Sequence, residues 1–413
     1  MSDRSLELIH DPKEVVAIAK VLSQASSIAF DTEFIRESTF YPKLEVLQIA
    51  TPSDAWLIDC QKLSKAQMRP ILEVFQDPKI LKIVHAAHGD QECLLSAYYI
   101  LAAPIFDTAV GASLCGLGDN IGLGNLIRSV LGIELPKGYA RTNWSKRPLP
   151  KPVLEYALLD VKHLIEVAGI LFERLDKNGR RDWSLELSSK FCERALYEVP
   201  PEDIARRLAQ SGKFHVRDYP VLLELVRWRE ERVRELNVPR RWLAEDGVLI
   251  DLAKIKPSTV EQLQGFRGLS RGEAKLPQAK RILSAIQTGA ESKEEIPKDL
   301  KQRNSLQPSS EESLGMDWLR VVLSMLSEQH SIAAKHIVQP QHVLPLLRLK
   351  PESLEALEGS GLVSSQLGSA GMKKLFSLLK GERGLFLETG RRVAVKQASE
   401  FPDAPDTTTH KNK

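Results

Sequence analysis

The chain has 413 residues, of which 43% are hydrophobic and 27% charged, and its formal net charge at pH 7 is +3. This composition is typical of a folded globular protein, and with no apolar stretch long enough to cross a bilayer it excludes a membrane-spanning chain. The length exceeds what one hydrophobic core usually serves, so about two to four domains are expected.

The N-terminus and the cysteines predict a cytoplasmic location. Residues 1–5 lack the basic and then apolar layout of a signal peptide. The four cysteines (Cys60, Cys93, Cys115 and Cys192) lie far apart and without metal-finger spacing, which is typical of reduced thiols.

The first strong strand pattern, at 27–34, carries two acids. Side chains at alternate positions of a strand share a face, so Asp31 and Glu33 point the same way from an otherwise apolar segment. Two buried carboxylates repel each other and lose solvation, and a divalent metal would compensate them. A turn or helix cap would also explain an Asp-x-Glu at a strand end.

Strands and helices alternate after this strand. Further strands are predicted at 44–51, 55–60, 80–86 and 105–108, and helices at 65–75, 89–101, 122–131 and 153–175. The turn residues Pro52-Ser53-Asp54 predict a hairpin between the second and third strands. The pattern is that of an α/β sheet.

The helix predicted at 153–175 is apolar on several sides but contains Asp160, with Tyr156 one turn earlier on the same face. A carboxylate in such a helix needs a partner. The Tyr156 phenol can hold a water molecule by a hydrogen bond, or it can be an ordinary core tyrosine.

Three motifs in chain order resemble those of the DEDDy 3′-5′ exonucleases. They are Asp31-x-Glu33, His85-x4-Asp90 and Tyr156-x3-Asp160. The segments 45–51, 104–108 and 141–149 also fit, in order, the pattern of the ribonuclease D family. The resemblance is close over about the first 190 residues.

After about residue 212 the pattern is all helical and contains an internal repeat. Residues 252–265 align without gaps on 346–359, with six identities in fourteen positions at an offset of 94. The copies resemble the helicase-and-RNase-D C-terminal (HRDC) domain, the first through 226–230, 237–239 and Lys256-Pro257. The second departs at 364–368, where a tryptophan and an arginine are common. No phosphate-loop motif is present, so helicase activity is not expected.

These resemblances imply an α/β ribonuclease H-like exonuclease domain followed by two small all-α HRDC-like domains. The expected boundaries are 1–200 for the exonuclease domain, 213–290 for the first HRDC domain, 291–313 for a linker, 314–390 for the divergent second copy and 398–413 for a disordered tail.

The family resemblance also implies the chemistry. Asp31, Glu33, Asp90 and Asp160 would ligate two magnesium or manganese ions, and Tyr156 would orient the attacking water. The enzyme would be a 3′-5′ exoribonuclease that releases nucleoside 5′-monophosphates from the single-stranded 3′ ends of structured RNA, such as tRNA precursors. A DNA exonuclease and a non-catalytic nucleic-acid-binding protein with a vestigial nuclease fold remain alternatives.

Two neighbouring features leave alternatives open. His85, His88 and Asp90 offer three zinc ligands, but no nearby cysteine or histidine completes a tetrahedron, so zinc is disfavoured. Asp107 is equally consistent with a group that supports the metal ligands and with a backbone cap.

Two basic segments are candidates for RNA contact. The loop at 135–154 has five basic residues and no acid, and its aromatic residues offer stacking surfaces. The segment 213–287 has 15 basic and 10 acidic residues, against 8 and 6 in 316–385, so the first copy is the better candidate. The predicted RNA contacts are Lys137, Arg141, Trp144, Arg147, Arg229, Arg240, Arg241 and Lys256. A solvated loop and an i,i+4 charge lattice on a helix are the alternatives.

Overall fold

The computed structural model describes residues 6–136, 138–139, 142–210, 214–301, 308–387 and 393–397. The chain divides into two units. The first unit comprises Met1–Thr108, Val130–Ile170 and Asp182–Gln307, and the second comprises Ala109–Ser129, Leu171–Arg181 and Pro308–Lys413. Among the described residues, no helix combines the length and the hydrophobicity needed to cross a membrane.

A six-stranded mixed sheet forms the centre of the first unit. Its strands are β1 (Leu8–Ile9), β2 (Ser27–Ile35), β3 (Lys43–Ala50), β4 (Ala55–Asp59), β5 (Leu81–Val84) and β6 (Ile105–Asp107), in the order β1-β4-β3-β2-β5-β6. β3 is antiparallel to both β2 and β4, and the other pairs are parallel. The predicted α/β sheet and its hairpin are confirmed; β1 is too short to show an alternating pattern.

Nine α-helices precede residue 211 in the described part of the chain. They are α1 (Pro12–Leu22), α2 (Lys65–Gln76), α3 (His88–Tyr98), α4 (Thr108–Leu114), α5 (Leu123–Leu131), α6 (Lys151–Lys162), α7 (Leu164–Lys177), α8 (Arg181–Ser189) and α9 (Pro201–Gln210). The single helix predicted at 153–175 is wrong, because α6 and α7 are separated at His163. The apolar pattern continues through this break without a proline or glycine to mark it.

The two faces of the sheet are covered by different helices. Phe30 of β2 packs with α1, α2 and α3 in one core cluster, and its ring centroid lies 5.0 Å from that of Phe75. Val46 and Leu57 face the opposite side, where they pack against α6. Because strand side chains alternate, Asp31 and Glu33 lie on the α6 face, opposite to Phe30.

The rest of the chain is mainly helical. The helices are α10 (Tyr219–Leu236), α11 (Arg240–Leu243), α12 (Asp246–Ile255), α13 (Val260–Gln264), α14 (Ala279–Glu291), α15 (Lys298–Lys301), α16 (Ser310–His330), α17 (Ala334–Ile337), α18 (Val343–Leu349), α19 (Leu354–Gly359) and α20 (Gly368–Leu379). They are followed by an antiparallel pair, β7 (Arg383–Leu387) and β8 (Val393–Gln397). The expectation of an all-helical C-terminal part is therefore wrong at its end, where the short strands β7 and β8 pair with each other. The predicted tail lies outside the described residues.

The internal repeat also recurs in the backbone at the offset of 94. α10 and α16 end at residues 236 and 330, and each is followed by a left-handed residue, Asn237 with φ 50° and Ser331 with φ 48°. Lys256 and Lys350 are left-handed as well, with φ of 51° and 44°. The Ser270 amide donates to Leu243 O at 2.8 Å, and the Ser364 amide donates to Ile337 O at 2.8 Å.

The left-handed residue after the long helix is a contact point in both copies. In the first unit, Asn237 Oδ1 accepts hydrogen bonds from the amides of Phe40 and Tyr41, each at 3.1 Å. In the second unit, Arg180 Nη1 donates to Ser331 O at 2.8 Å, and Nη2 donates to His330 O at 3.0 Å. The residue after the long helix therefore contacts a different segment in each copy: Asn237 contacts the loop at Phe40 and Tyr41, and Ser331 contacts Arg180.

Candidate active site

Two distant segments bring three acids together. β2 presents Asp31 and Glu33 on the face that α6 covers, and α6 presents Asp160 towards them. Carboxylate oxygens of Asp31, Glu33 and Asp160 all lie within 4.8 Å of one another. The pairing of β2 with β3 shifts register between Glu33 and Phe34, an irregularity of the kind that re-aims side chains beside functional sites.

Asp90 lies beside this cluster on α3 but is not one of the three acids whose oxygens all lie within 4.8 Å of one another. It lies in the first turn of α3, where the helix dipole favours a negative charge. The Thr32 hydroxyl donates to Asp90 Oδ1 at 2.6 Å, and burial and then the charge of the nearby Asp31 raise the pKa of Asp90. Thr32 lies between the two acids of β2 but points to the opposite face, so it fastens α3 to the strand.

Asp107 fixes the start of α3. Its two carboxylate oxygens accept the amides of Ala86 and Ala87, each at 2.9 Å, and its own amide donates to Ser188 Oγ at 3.0 Å. Of the two interpretations of Asp107, the structure shows the backbone cap. By holding this turn, Asp107 sets the direction in which Asp90 leaves the helix.

Burial and mutual repulsion make the acids reluctant to ionise. Burial raises the pKa of Asp31 to about 6. Burial and then the neighbouring charges raise the pKa of Glu33 to about 10 and that of Asp160 to about 8. Burial and the charge of Asp31 also raise the pKa of Asp90. A set of four carboxylates with this repulsion fits hard divalent cations, which take oxygen ligands and stabilise the ionised form.

Tyr156 lies beside the acids on α6. Its hydroxyl is hydrogen-bonded to Asp160, and its ring centroid lies 5.8 Å from that of Tyr139. Burial and then the charge of Asp160 raise the pKa of the Tyr156 phenol above its ordinary value. The phenol therefore stays protonated at neutral pH, which suits a group that orients water better than one that removes its proton.

The histidines near α3 take no part in the acidic cluster. His85 Nδ1 lies 2.9 Å from Thr108 Oγ1, and the His88 ring lies 5.1 Å from the Tyr197 ring. Within the part of the chain that the structure describes, the group able to hold a metal contains neither histidine. A zinc site here is not supported.

Two predicted RNA contacts of the basic loop are corrected by the structure. Trp144 is 2% exposed and packs in the core under α6, so it offers no stacking surface. Arg147 pairs through two nitrogens with Asp59, both at 2.9 Å, and donates to Trp144 O at 2.6 Å. The loop is therefore anchored inward by its arginine. Lys137 and Arg141 lie outside the described residues.

The predicted contacts of the first helical copy differ in exposure. Arg229 is 1% exposed and donates to Asp246 Oδ1 at 2.7 Å, which contradicts its assignment to an RNA surface. Arg240 pairs with Glu230, and Lys256 donates to Asp218 at 2.7 Å, but both side chains are partly exposed. Arg241 is exposed. Arg229 therefore belongs neither to an RNA surface nor to an i,i+4 lattice on its own helix, because its partner Asp246 lies on α12.

Sequence reasoning missed the roles of Thr32, which holds Asp90, and of Asn237, which holds the loop at Phe40 and Tyr41. Thr32 and Asn237 give no local signal, because their partners lie 58 and about 197 residues away in the chain. The order of the acidic motifs along the chain predicted the acids themselves, but not the residues that contact them.

Comparisons with known proteins agree with this arrangement. Residues 6–176 match a family model described as 3′-5′ exonuclease, and residues 220–286 match the HRDC domain. The chain is 33% identical over 394 residues to Ribonuclease D of Nitrobacter hamburgensis, covering 95% of this chain and 100% of that protein. It is 30% identical over 399 residues to Ribonuclease D of Bartonella henselae, covering 96% and 95%.

A solved structure supports the fold. The crystal structure of Escherichia coli RNase D, described as an exoribonuclease involved in structured RNA processing, superposes with a TM-score of 0.72 at 23% identity, covering 90% of this chain and 98% of that one.

Proposed function

This chain belongs to the ribonuclease D family and is a 3′-5′ exoribonuclease, and we propose that it uses two divalent metal ions to trim the 3′ ends of structured RNA such as tRNA precursors. Each cycle would release one nucleoside 5′-monophosphate. A cytoplasmic location, which we also propose, is consistent with four free cysteines.

The convergence of the acids carries the proposal. Carboxylate oxygens of Asp31, Glu33 and Asp160 lie within 4.8 Å of one another although they come from separate segments, and burial and then the charge of the nearby Asp31 raise the pKa of Asp90. These four carboxylates would hold magnesium or manganese. When bound, such ions supply Lewis-acid activation of the attacking water and stabilise the leaving 3′ oxygen.

The protein's own groups position the reactants. The Tyr156 phenol remains protonated and is hydrogen-bonded to Asp160, so it would orient the water for in-line attack on the terminal phosphate. Thr32 would hold Asp90 in place through its 2.6 Å hydrogen bond. The burial of the acids limits their contact with bulk water.

The substrate and the helical copies belong to the same proposal. The Escherichia coli relative processes structured RNA, which supports a similar RNA here. We propose that 213–290 and 314–390 are two HRDC domains, the second supported by caps and hydrogen bonds that recur at the same offset of 94. Lys137, Arg141, Arg240, Arg241 and Lys256 are retained as proposed RNA contacts.

A direct assay tests this function. RNA and DNA strands labelled at the 5′ end are incubated with magnesium, with and without chelator, beside the Asp160→Asn variant. We expect a ladder of shortened RNA that chelator or the variant abolishes, while the variant still binds single-stranded RNA. Shortening of DNA alone, or equal activity of the variant, would refute the assignment.

A further inference from the structure

A cavity of about 1340 Å³ lies in the first unit beside the helix that carries Asp90. We call it the α3 cleft. Its walls are the loop from Arg36 to Lys43 that follows β2, the outer side and C-terminal end of α3, the segment before α9, and α10 with Asn237 and Arg240. Two of these walls, the loop after β2 and α3, are next to or part of the elements that supply three of the four acids, although none of the acids lines the cavity.

Exposed aromatic and apolar side chains are concentrated in the α3 cleft. Of the fifteen large hydrophobic residues that are exposed in the described part of the chain, four line this cavity. They are Tyr41, Tyr99, Leu196 and Val199, with exposures of 41%, 69%, 39% and 39%. Tyr99 is the most exposed of the four, so its ring face is open to a partner.

The cleft is lined by more cations than anions. Its basic side chains are Arg36, Lys43, Lys65, Arg234 and Arg240, against the two carboxylates Glu92 and Glu198. The Lys65 ammonium lies 4.7 Å from the centre of the Tyr99 ring, and no ion pair joins it to a carboxylate of the described residues. A lysine beside an exposed aromatic ring is how proteins hold a phosphate and a stacked base of a single strand.

Tyr99 adopts a backbone conformation that its side chain disfavours. It caps α3 with φ 62° and ψ 27°, the left-handed region where glycine or asparagine is usual. Arg194 Nη2 donates to its carbonyl oxygen at 2.6 Å and holds it there. A bulky, exposed side chain at a strained position indicates that the ring has a use other than stability.

We propose that the α3 cleft binds the RNA nucleotides upstream of the scissile bond, with a base stacked on Tyr99 and a phosphate near Lys65. The proposal rests on the proposed exonuclease function. Nine residues of α3 separate Asp90 from Tyr99, a rise of about 14 Å, which matches roughly two to four nucleotides. Arg36, Lys43, Arg234 and Arg240 are paired with Glu92, Glu45 and Glu230, so the charge that favours a phosphate-bearing strand as the occupant is that of Lys65 beside Tyr99.

Asn237 makes the cleft depend on the first helical copy. Its amide oxygen holds the Phe40 and Tyr41 amides, and the guanidinium groups of Arg234 and Arg240 lie 5.2 and 4.9 Å from the Phe40 ring. The loop that carries Tyr41 is thereby fixed as one wall of the site.

The experiment compares substrates of different length. Tyr99→Asn and Lys65→Ala are assayed on a 12-nucleotide oligoadenylate and on a dinucleotide, with Tyr99→Phe and the exposed Lys79→Ala as matched controls. We expect the ratio of kcat/KM for the 12-mer to that for the dinucleotide to fall about tenfold in both test variants. The controls should stay within about twofold of the wild type.

Two further readouts separate binding from folding and from catalysis. The Kd for the fluorescent 12-mer, measured by anisotropy with Asp160→Asn as the background, should rise about tenfold on Tyr99→Asn. The Tm of Tyr99→Asn should equal or exceed that of the wild type, because asparagine tolerates the left-handed conformation.

An unchanged Kd and an unchanged substrate ratio would overturn the proposal and leave the cleft to another partner. An equal loss on both substrates would overturn it too, since the effect would then lie at the acids. If the wild type hydrolyses neither substrate, the exonuclease function fails, while the anisotropy measurement still tests the cleft.

Discussion

Asp160→Asn should stabilise the metal-free protein while it abolishes hydrolysis. An unfolded chain ionises Asp160 near 3.8, whereas burial and the charge of Asp31 raise the pKa in the folded chain to about 8. The folded state therefore holds an extra proton between these pH values. Stability of the metal-free wild type falls as pH rises through that window, because the native state binds more protons than the unfolded state.

The size of the effect follows from the pKa of Asp160. Because the Asp160 carboxyl stays protonated in the folded state, the metal-free protein loses about 4 kcal/mol of stability between pH 3.8 and pH 7, at 1.36 kcal/mol per pH unit. The side chain is 6% exposed, so screening by solvent is small. Relaxation of the neighbouring acids reduces the stabilisation expected for Asp160→Asn to about 2 kcal/mol, which corresponds to a rise in the Tm of the variant of roughly 4–8 °C.

Thermal unfolding in the presence of chelator measures this difference between pH 3 and pH 8. The variant and the wild type should unfold at nearly the same temperature near pH 3, which lies below the unfolded-state value of 3.8 so that Asp160 is mostly protonated in both states, and they should diverge as pH rises. Added magnesium should raise the Tm of the wild type by more than that of the variant. A variant that is less stable than the wild type at pH 8 without metal would refute the electrostatic account of the cluster.

Three further predictions follow from the site and from the anchored loop. Tyr156→Phe should lower kcat about tenfold or more while the rise of Tm with magnesium is retained, as single-turnover hydrolysis and thermal unfolding can measure; an unchanged kcat would remove the phenol from the mechanism. Arg147→Met should lower the free energy of unfolding in urea by about 3 kcal/mol because Asp59 is 1% exposed and loses its partner, whereas Lys146→Met should change it by less than about 0.5 kcal/mol. Apparent magnesium affinity should rise between pH 6 and pH 8, since the pKa values of Glu33 (about 10) and Asp160 (about 8) require proton release; calorimetry showing no pH dependence would contradict this.

The acids of the site could be predicted because they lie on regular local patterns. Alternation along β2 places Asp31 and Glu33 on one face, and the helical period places Tyr156 one turn from Asp160; β2 and α6 form where these patterns indicated. The order of the motifs identified Asp90 as the remaining member.

Residues whose roles depend on distant partners could not be predicted. Trp144 and Arg147 lie in a segment without acids, which read as a solvated, RNA-facing loop, but Arg147 is neutralised by Asp59, 88 residues earlier. Arg229 is likewise buried, and it pairs with the exposed Asp246 of α12. Counting charges within a segment does not show whether an arginine is exposed or forms an ion pair with an acid from a distant part of the chain.

The left-handed residue after the long helix, Asn237 in the first copy and Ser331 in the second, makes a different kind of contact in each copy. Asn237 contributes its side-chain oxygen, so only a residue with an acceptor oxygen at the same distance from the backbone, such as aspartate, can replace it in contact with the loop at Phe40 and Tyr41. Ser331 contributes a main-chain carbonyl to Arg180, which almost any residue could supply. A chimera that carries two copies of the second sequence should therefore lose the hydrogen bonds to the loop at Phe40 and Tyr41, whereas one built from two copies of the first should keep the hydrogen bond from Arg180.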